Sequence, residues 1–308
     1  MSGAGVVSGA VQVAGGLVLA PLLPGLVQLA KARLQGRRGP SPLQPYRELR
    51  RLWGKSTVEP EGVTLVYRLA PAVVATSLGA AVLVVPVTAA NASLGLGHDA
   101  LVLVGLLALA RFAVAASSWD VANGFALMGA SRDLTFAVFA EAGFVLALGL
   151  AALIAGTTDL TAVVAATAAA HAWSSPAPAL GALAFALVVV AETGRQPVDN
   201  PDTHLELTMV HEGPLLEYAG RDLAYLQWAA AARHWLMLVL AAQVFLPHPS
   251  GAWIQLAVLP AALAVLCVGL ALVETFVAKM RILLVPRLLA MGAAAAVLGI
   301  AAHLVGSS

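Results

Sequence analysis

Apolar residues in this chain run in long unbroken blocks instead of alternating with polar ones. The blocks fall at about 6–30, 66–90, 100–117, 134–156, 178–192, 224–246, 253–277 and 284–304. A helix needs about 20 apolar residues to cross the hydrocarbon core of a bilayer, and most of these blocks reach that length. The block at 178–192 is the shortest. The stretch 160–172 is apolar but short, with Pro176 and Pro178 close behind it. That predicts an interfacial helix and not a ninth span. The pattern predicts an all-α, polytopic membrane protein of eight transmembrane helices, a single integral membrane domain over 1–308. Pro21, Pro24, Pro71, Pro86 and Pro260 lie inside these blocks, where membrane helices tolerate proline and bend at it.

The basic residues give the blocks an orientation. Lys31, Arg33, Arg37, Arg38, Arg47, Arg50, Arg51 and Lys55 fill the first loop, and Arg68 opens the second block from that side. Arg111 and Arg132 fall at the end of the third block and after it. Arg195, Arg221 and Arg233 follow the fifth block, and Lys279, Arg281 and Arg287 follow the seventh. The loops after the second, fourth and sixth blocks, and both ends of the chain, carry none. Under the positive-inside rule this alternation predicts cytoplasmic loops at about 31–65 and 193–223 and both termini on the outer side. The first thirty residues have no basic residue ahead of their apolar run and four soon after it. That is the reverse of a secretory signal, so they read as a retained first span.

Composition agrees. Of 308 residues 60% are hydrophobic and 11% charged, and the mean hydropathy is +0.88, which suits lipid and not water. A net charge of +1 gives no electrostatic reason to expect nucleic acid as a partner. Cys267 is the single cysteine and lies inside an apolar stretch, so the chain by itself builds neither a disulfide nor an iron–sulfur site. Redox carriers, if any, belong to other subunits. Glycine-rich nucleotide loops, nucleophile elbows and internal repeats are all absent.

The acids depart from this pattern. Glu192, Asp199, Asp202, Glu206, Glu212, Glu217 and Asp222 crowd a loop placed on the basic side, opposed there only by Arg195 and Arg221. Glu192 closes the fifth block and Arg195 follows three residues later, a spacing that lets the two pair on one helical face. Pro197 is expected to stop the helix and return Asp199 to the same mouth. Glu141 stands about one third of the way into the fourth span. A carboxylate there costs a few kcal/mol, so it should face a polar cavity and suits a proton route. Glu274, Lys279 and Arg281 close the seventh block, where anchoring at the interface is the alternative to a functional role. His204, His211 and Glu212 do not have the spacing of a zinc helix, and Pro214 interrupts the face they would share, so no metal site is expected.

The stretch AETGRQPVDNPDTHLELTMVHEGPLLEYAGRDLAYL resembles the signature loop of the complex I membrane component called subunit 1. The shared pattern is AE-x-x-R-x-P-x-D, then E-L, then EY-x-G. The first loop, ARLQGRRGPSPLQPYRELRRLWGKSTVEP, is similar to that family's basic loop with R-R-G-P and L-Q-P. The family also has eight spans. THLELTMVHE, EYAGRDLA, GASRDLTFAVFAE and ETFVAKMRILLVP resemble its hydrogenase branch, the membrane subunits of formate hydrogenlyase and group 4 nickel–iron hydrogenases. The quinone-reducing branch usually shows P-F-D where Pro197, Val198 and Asp199 stand, and an aromatic, serine-rich lead where Phe139 and Ala140 stand.

The resemblance implies a membrane-anchoring, proton-handling subunit in the cell's inner membrane. The alternative is a quinone-reactive subunit of an NADH dehydrogenase-type complex. Its implied partners are the hydrogenase large and small subunits, which would carry the nickel–iron centre and iron–sulfur clusters, and antiporter-like membrane subunits. Glu192, Arg195 and Asp199 match the rim of the family's acidic passage, Glu141 a carboxylate further along it, and Glu206, Glu212 and Glu217 its acidic loop. Arg37, Arg38, Arg47, Arg50, Arg51, Asp202 and Arg221 are the expected docking residues. Carboxylates in such a passage would titrate as a group when charge changes in the docked arm.

Overall fold

The computed structural model describes residues 3–89, 95–168, 173–199 and 210–306. Among them all regular structure is helical. The α-helices are α1 (Gly3–Ala14), α2 (Leu22–Leu34), α3 (Gln44–Trp53), α4 (Leu65–Val84), α5 (Asp99–Val121), α6 (Gly124–Ala155), α7 (Leu160–Thr167), α8 (Ala177–Glu192), α9 (Gly220–Val244), α10 (Ala252–Phe276) and α11 (Val285–Gly306). Short turns of tighter or wider helix occupy Gly15–Leu19, Gly213–Leu215 and Ile282–Leu284.

Five helical stretches are long and apolar enough to cross a membrane: α4, α5, α6, α10, and Ile282–Gly306 containing α11. The first apolar block is broken. Its halves, Val6–Leu19 and Leu22–Leu34, meet at 61° and make a sixth candidate if taken as one span. Pro21 and Pro24 sit at that break, where a proline nitrogen has no hydrogen to donate. The block at 178–192 becomes α8, only 16 residues long, or roughly 24 Å at 1.5 Å per residue. α9 has the length, but Arg221, Asp222, Arg233 and His234 interrupt its apolar run. The expected interfacial helix is the eight-residue α7, far too short to cross.

Two helices extend beyond their apolar blocks. α6 begins at Gly124, ten residues before the expected start, where the Asn123 side chain accepts a hydrogen bond from the Phe125 N–H. Thr64 caps α4 by accepting from Val66 N. Asp120, from the end of α5, accepts from the N–H groups of Thr64 and Tyr67 and ties those two helix ends together.

α9 is the centre of the bundle. It packs against α2, α3, α4, α8 and α10, and residues 234–244 are buried on every face. That explains a helix with charged and imidazole groups among its apolar residues: its neighbours are protein side chains. Around it, α4 lies along α5, α2 along α10, and α6, α8 and α11 pack on one another. α3 bears Arg47, Arg50 and Arg51 on its outer surface and buries Leu52, with Trp53 edge-on to Tyr225 of α9.

At one end of the bundle α4 stops at Val84, and residues 85–89 continue without helix although Val85, Val87 and Thr88 are fully buried. Side chains from three other helices satisfy this stretch. Gln12 donates to the carbonyls of Val82 and Leu83, and Gln243 to that of Val87. Gln255 accepts from Ala89 N, and Ser8 bonds Thr88 at 2.8 Å. Buried backbone groups without partners cost several kcal/mol in lipid, so each of these buried glutamines has a structural reason.

Candidate functional site

The site lies at the opposite end, where α5, α6, α8 and α9 converge. Its organiser is Arg111, in the middle of the apolar run of α5 and 6% exposed. Arg111 Nη1 donates to Glu141 Oε1 at 2.5 Å, Nη2 donates to Glu192 Oε1 at 2.6 Å, and Nε stands 3.7 Å from Asp133 Oδ2. One guanidinium thus gathers carboxylates from α6 and α8, in the fork geometry that suits it to bridging carboxylates. Arg233 of α9 approaches the other oxygen of Glu192 at 3.5 Å.

A second cluster adjoins the first. Arg195 Nη1 donates to Glu274 Oε1 at 2.9 Å, and Lys31 Nζ lies 3.3 Å from Glu274 Oε2. Lys279 Nζ is 3.5 Å from Asp199 Oδ1, and the other oxygen of Asp199 accepts from the N–H groups of Val210 and His211. Glu192, Arg195, Asp199 and Glu274 are all buried.

Two local expectations are corrected. Glu192 and Arg195 pair with separate partners and not with each other: the chain leaves α8 through Thr193 and Gly194, and Arg195 faces α10. Gly194, at φ +61°, makes that turn, so the helix ends before Pro197. Its missing side chain also admits the His211 ring, whose Nδ1 would lie 3.1 Å from a Cβ there.

Asp199 does return to the mouth, as expected. Glu141 sits near the middle of α6, because that helix starts early, and its neighbour is a guanidinium and not another acid. Of the interfacial group, Glu274 and Lys279 belong to the network and Arg281 is exposed outside it. Glu217 works locally: it accepts a hydrogen bond from Asn123 Nδ2, and its carbonyl accepts from Tyr67 OH. Tyr67 and Tyr218 stack at 4.3 Å beside it. Glu212 is exposed at the cavity rim. Arg37, Arg38, Arg47, Arg50, Arg51 and Arg221 are exposed, whereas Asp202, His204 and Glu206 lie outside the described residues.

Sequence reasoning assigned Arg111 to the end of a span and did not name Asp133, Arg233 or Lys31 as site residues. The signal for Arg111 was available. An arginine within LVLVGLLALARFAVAA is as costly in lipid as Glu141, and two opposite charges in neighbouring spans invite pairing.

A cavity of about 710 Å³ opens onto both clusters. Arg111, Asp133, Glu192, Arg195, Asp199 and His211 line its polar end. Its other wall is largely apolar and comes from Pro21 and Pro24 before and in α2, Pro45 and Leu49 of α3, and α9. Such a cavity admits water to the charges while helices hold them, which is what moving protons between carboxylates requires. Among the described residues no group of three metal-ligating side chains occurs, and Cys267 is buried and free.

The family described as NADH dehydrogenase matches residues 9–303. Hydrogenase-4 component C of Escherichia coli (strain K12) is 34% identical over 250 residues, covering 81% of this chain and 78% of its own length. Formate hydrogenlyase subunit 4 of the same organism is 33% identical, covering 88% of this chain and 89% of itself. An NADH-quinone oxidoreductase subunit of Rhodopseudomonas palustris (strain BisB5) is 28% identical over 72% of this chain and 70% of its own length. A chain of the archaeal membrane-bound sulfane sulfur reductase shares the fold, with a TM-score of 0.81 and 19% identity over 96% of this chain and 98% of its own. The chain is a multi-pass membrane protein belonging to the NADH dehydrogenase family of complex I-like membrane subunits, with the hydrogenase-4 and formate hydrogenlyase components among its relatives.

Proposed function

We propose that this chain is the membrane-anchoring, proton-handling subunit of a complex I-like respiratory hydrogenase of the formate hydrogenlyase type, in the inner membrane. It crosses the bilayer eight times with both termini outside, counting the bent α1–α2 pair, the short α8 and the charged α9 as spans. Neighbouring helices shield the polar parts of those three from lipid. The exposed arginines Arg37, Arg38, Arg47, Arg50, Arg51 and Arg221, with Asp202, dock the large and small hydrogenase subunits. These partners carry the nickel–iron centre and iron–sulfur clusters, whose usual ligands are several cysteines, whereas this sequence has the single Cys267. Antiporter-like subunits lie beside it in the membrane.

The observation carrying this reading is the network on Arg111, open to a cavity on the side expected to face the cytoplasm. Charge appearing in a docked arm would favour or oppose each buried ion pair, and a proton moving along the wall is the cheapest response. Glu192→Gln in the assembled complex should lower hydrogen-linked proton movement at least about tenfold, since it takes away the charge that Arg111 and Arg233 share and so disturbs the network that positions the proton carriers. Wild-type coupling in that variant overturns the reading.

A second reading has one observation in its favour. The apolar wall of the cavity, from the first span, α3 and α9, is suited to a lipid-soluble quinone, as a quinone-reactive subunit requires. Quinone-site inhibitors blocking the purified complex would support it, and their having no effect would remove it.

A further inference from the structure

We propose that His211 is the proton carrier joining the two charge clusters, passing a proton between Asp133 on the Arg111 side and Asp199 on the Lys279 side. This deepens the reading above and rests on it.

The geometry is that of a two-ended relay. His211 Nδ1 is 3.2 Å from Asp199 Oδ2, and Nε2 is 3.7 Å from Asp133 Oδ1. A carboxylate only accepts, so Nδ1 carries the hydrogen in the first contact. The second lies just beyond hydrogen-bond reach, and a small ring swing or one water closes it. The ring keeps 27% of its surface open to the cavity. Its main chain is fixed because His211 N also donates to Asp199, and the bare Cα of Gly194 seats the imidazole.

The other site groups are poor carriers. Glu141, Glu192 and Glu274 each have a guanidinium within 2.9 Å. A carboxylate so paired loses strong contacts on taking a proton, whereas imidazole changes charge in the physiological range. Burial pulls the His211 pKa down, but the bond to Asp199 and the charges of Asp133 and Asp199 more than offset this and leave it above the usual 6.5, against the opposing charge of Arg111. Glu192 also acts on it, Lys279 lies beyond Asp199, and Glu212 follows in the chain.

The transfer balances. A proton leaves the Asp133 carboxyl, breaking its O–H bond, and forms the Nε2–H bond. The Nδ1–H bond breaks and an O–H bond forms on Asp199. The ring ends with one hydrogen, as it began, with the tautomer exchanged. One carboxyl has become a carboxylate and one carboxylate a carboxyl.

The test uses the complex purified through this chain and reconstituted in liposomes, with proton movement read by a pH-sensitive dye during hydrogen-linked turnover across pH 5.5–9 (roughly the imidazole range). Wild type should show an acid limb, with proton movement lost as pH falls, whose midpoint lies above 6.5, the ordinary histidine value, because an imidazolium has no free Nε2 to take the next proton. His211→Gln, which can still donate to Asp199, should lower proton movement about 10²-fold and abolish the limb. If that variant does not assemble, Asp133→Asn, which has no carboxyl proton to give, should lower proton movement to a similar extent. A retained limb in H211Q, or wild-type proton movement in D133N, overturns the proposal. Glu192→Gln run alongside separates the failures: if it too behaves as wild type, the proton-handling reading itself falls. If only the His211 and Asp133 variants do, this inference alone is lost.

Discussion

At the scale of single residues, Arg111 is the part of the site with most to lose. It is the contact that Glu141 and Glu192 share, and all three lie among apolar helices. Replacing Arg111 with Met keeps much of the bulk, takes the cation from Glu141 and leaves Glu192 only its longer contact with Arg233. Breaking a buried pair by removing one partner costs about 3–5 kcal/mol, so the R111M chain in detergent should unfold at clearly lower temperature. Glu141→Gln should cost much less, because the Glu141 side chain is 39% exposed and its loss leaves Arg111 with Glu192. Equal shifts in the two melting curves would contradict this ordering. The carboxylates were legible in the sequence because acids stand out against an apolar chain. Most of their partners were not, for a physical reason: Lys31, Arg233 and Lys279 come from three different helices or loops, and pairing across the bundle has no sequence period. Of the acids of the signature loop, the fold meets Glu192 with Arg111 and Arg233, and Asp199 with Lys279, each base coming from elsewhere in the chain.

At the scale of elements, the site depends on one close approach. The Gly213–Leu215 turn lies against α6 at Gly129, where an added Cβ would stand 2.8 Å from Pro214 and 2.9 Å from the Gly213 main chain. Gly129→Ala must therefore push the turn away, at a cost of roughly 1–3 kcal/mol for overpacking. Because His211 lies two residues before that turn, G129A should disturb proton movement more than it disturbs folding. Thermal melting and dye-reported proton movement measured on the same preparation would show this. A large stability loss with wild-type coupling would count against the placement of the turn. The helices themselves were readable wherever apolar length alone decides: α5, α10 and α11 lie within a few residues of their blocks, whereas α4 starts with its block but stops six residues short of the block's end. The early start of α6 was not, since Asn123 and polar residues such as Ser131 and Asp133 precede the apolar run yet propagate the helix. Nor was the break between α1 and α2, because proline in a membrane helix signals a bend without fixing its angle.

At the scale of the whole molecule, the proposed topology has a direct readout. Cys267, the one native thiol, is 2% exposed and contributes little background to labelling. A cysteine at Arg37 should react with a membrane-impermeant maleimide only in inverted vesicles, and one at Gly97 only in spheroplasts, since an odd number of spans separates them. Labelling of both from one side would remove the eight-span arrangement. The alternation of basic loops along the sequence is what the proposed orientation rests on, while the central place of α9 was hidden. Its arginine and histidine look unsuited to lipid until packing shows how little lipid that helix meets.

The glutamine-bound stretch after α4 constrains the order in which the chain can mature. Residues 85–89 emerge from the ribosome long before Gln243 and Gln255, which complete their hydrogen bonds. Until α9 and α10 arrive, that segment must stay hydrated or covered by the insertion machinery, because hydrocarbon offers it nothing. Biogenesis therefore has a late locking step, in which α9 and α10 seal a segment made much earlier. Any chain cut short before α9 would carry that unsealed seam as a mark for membrane quality control.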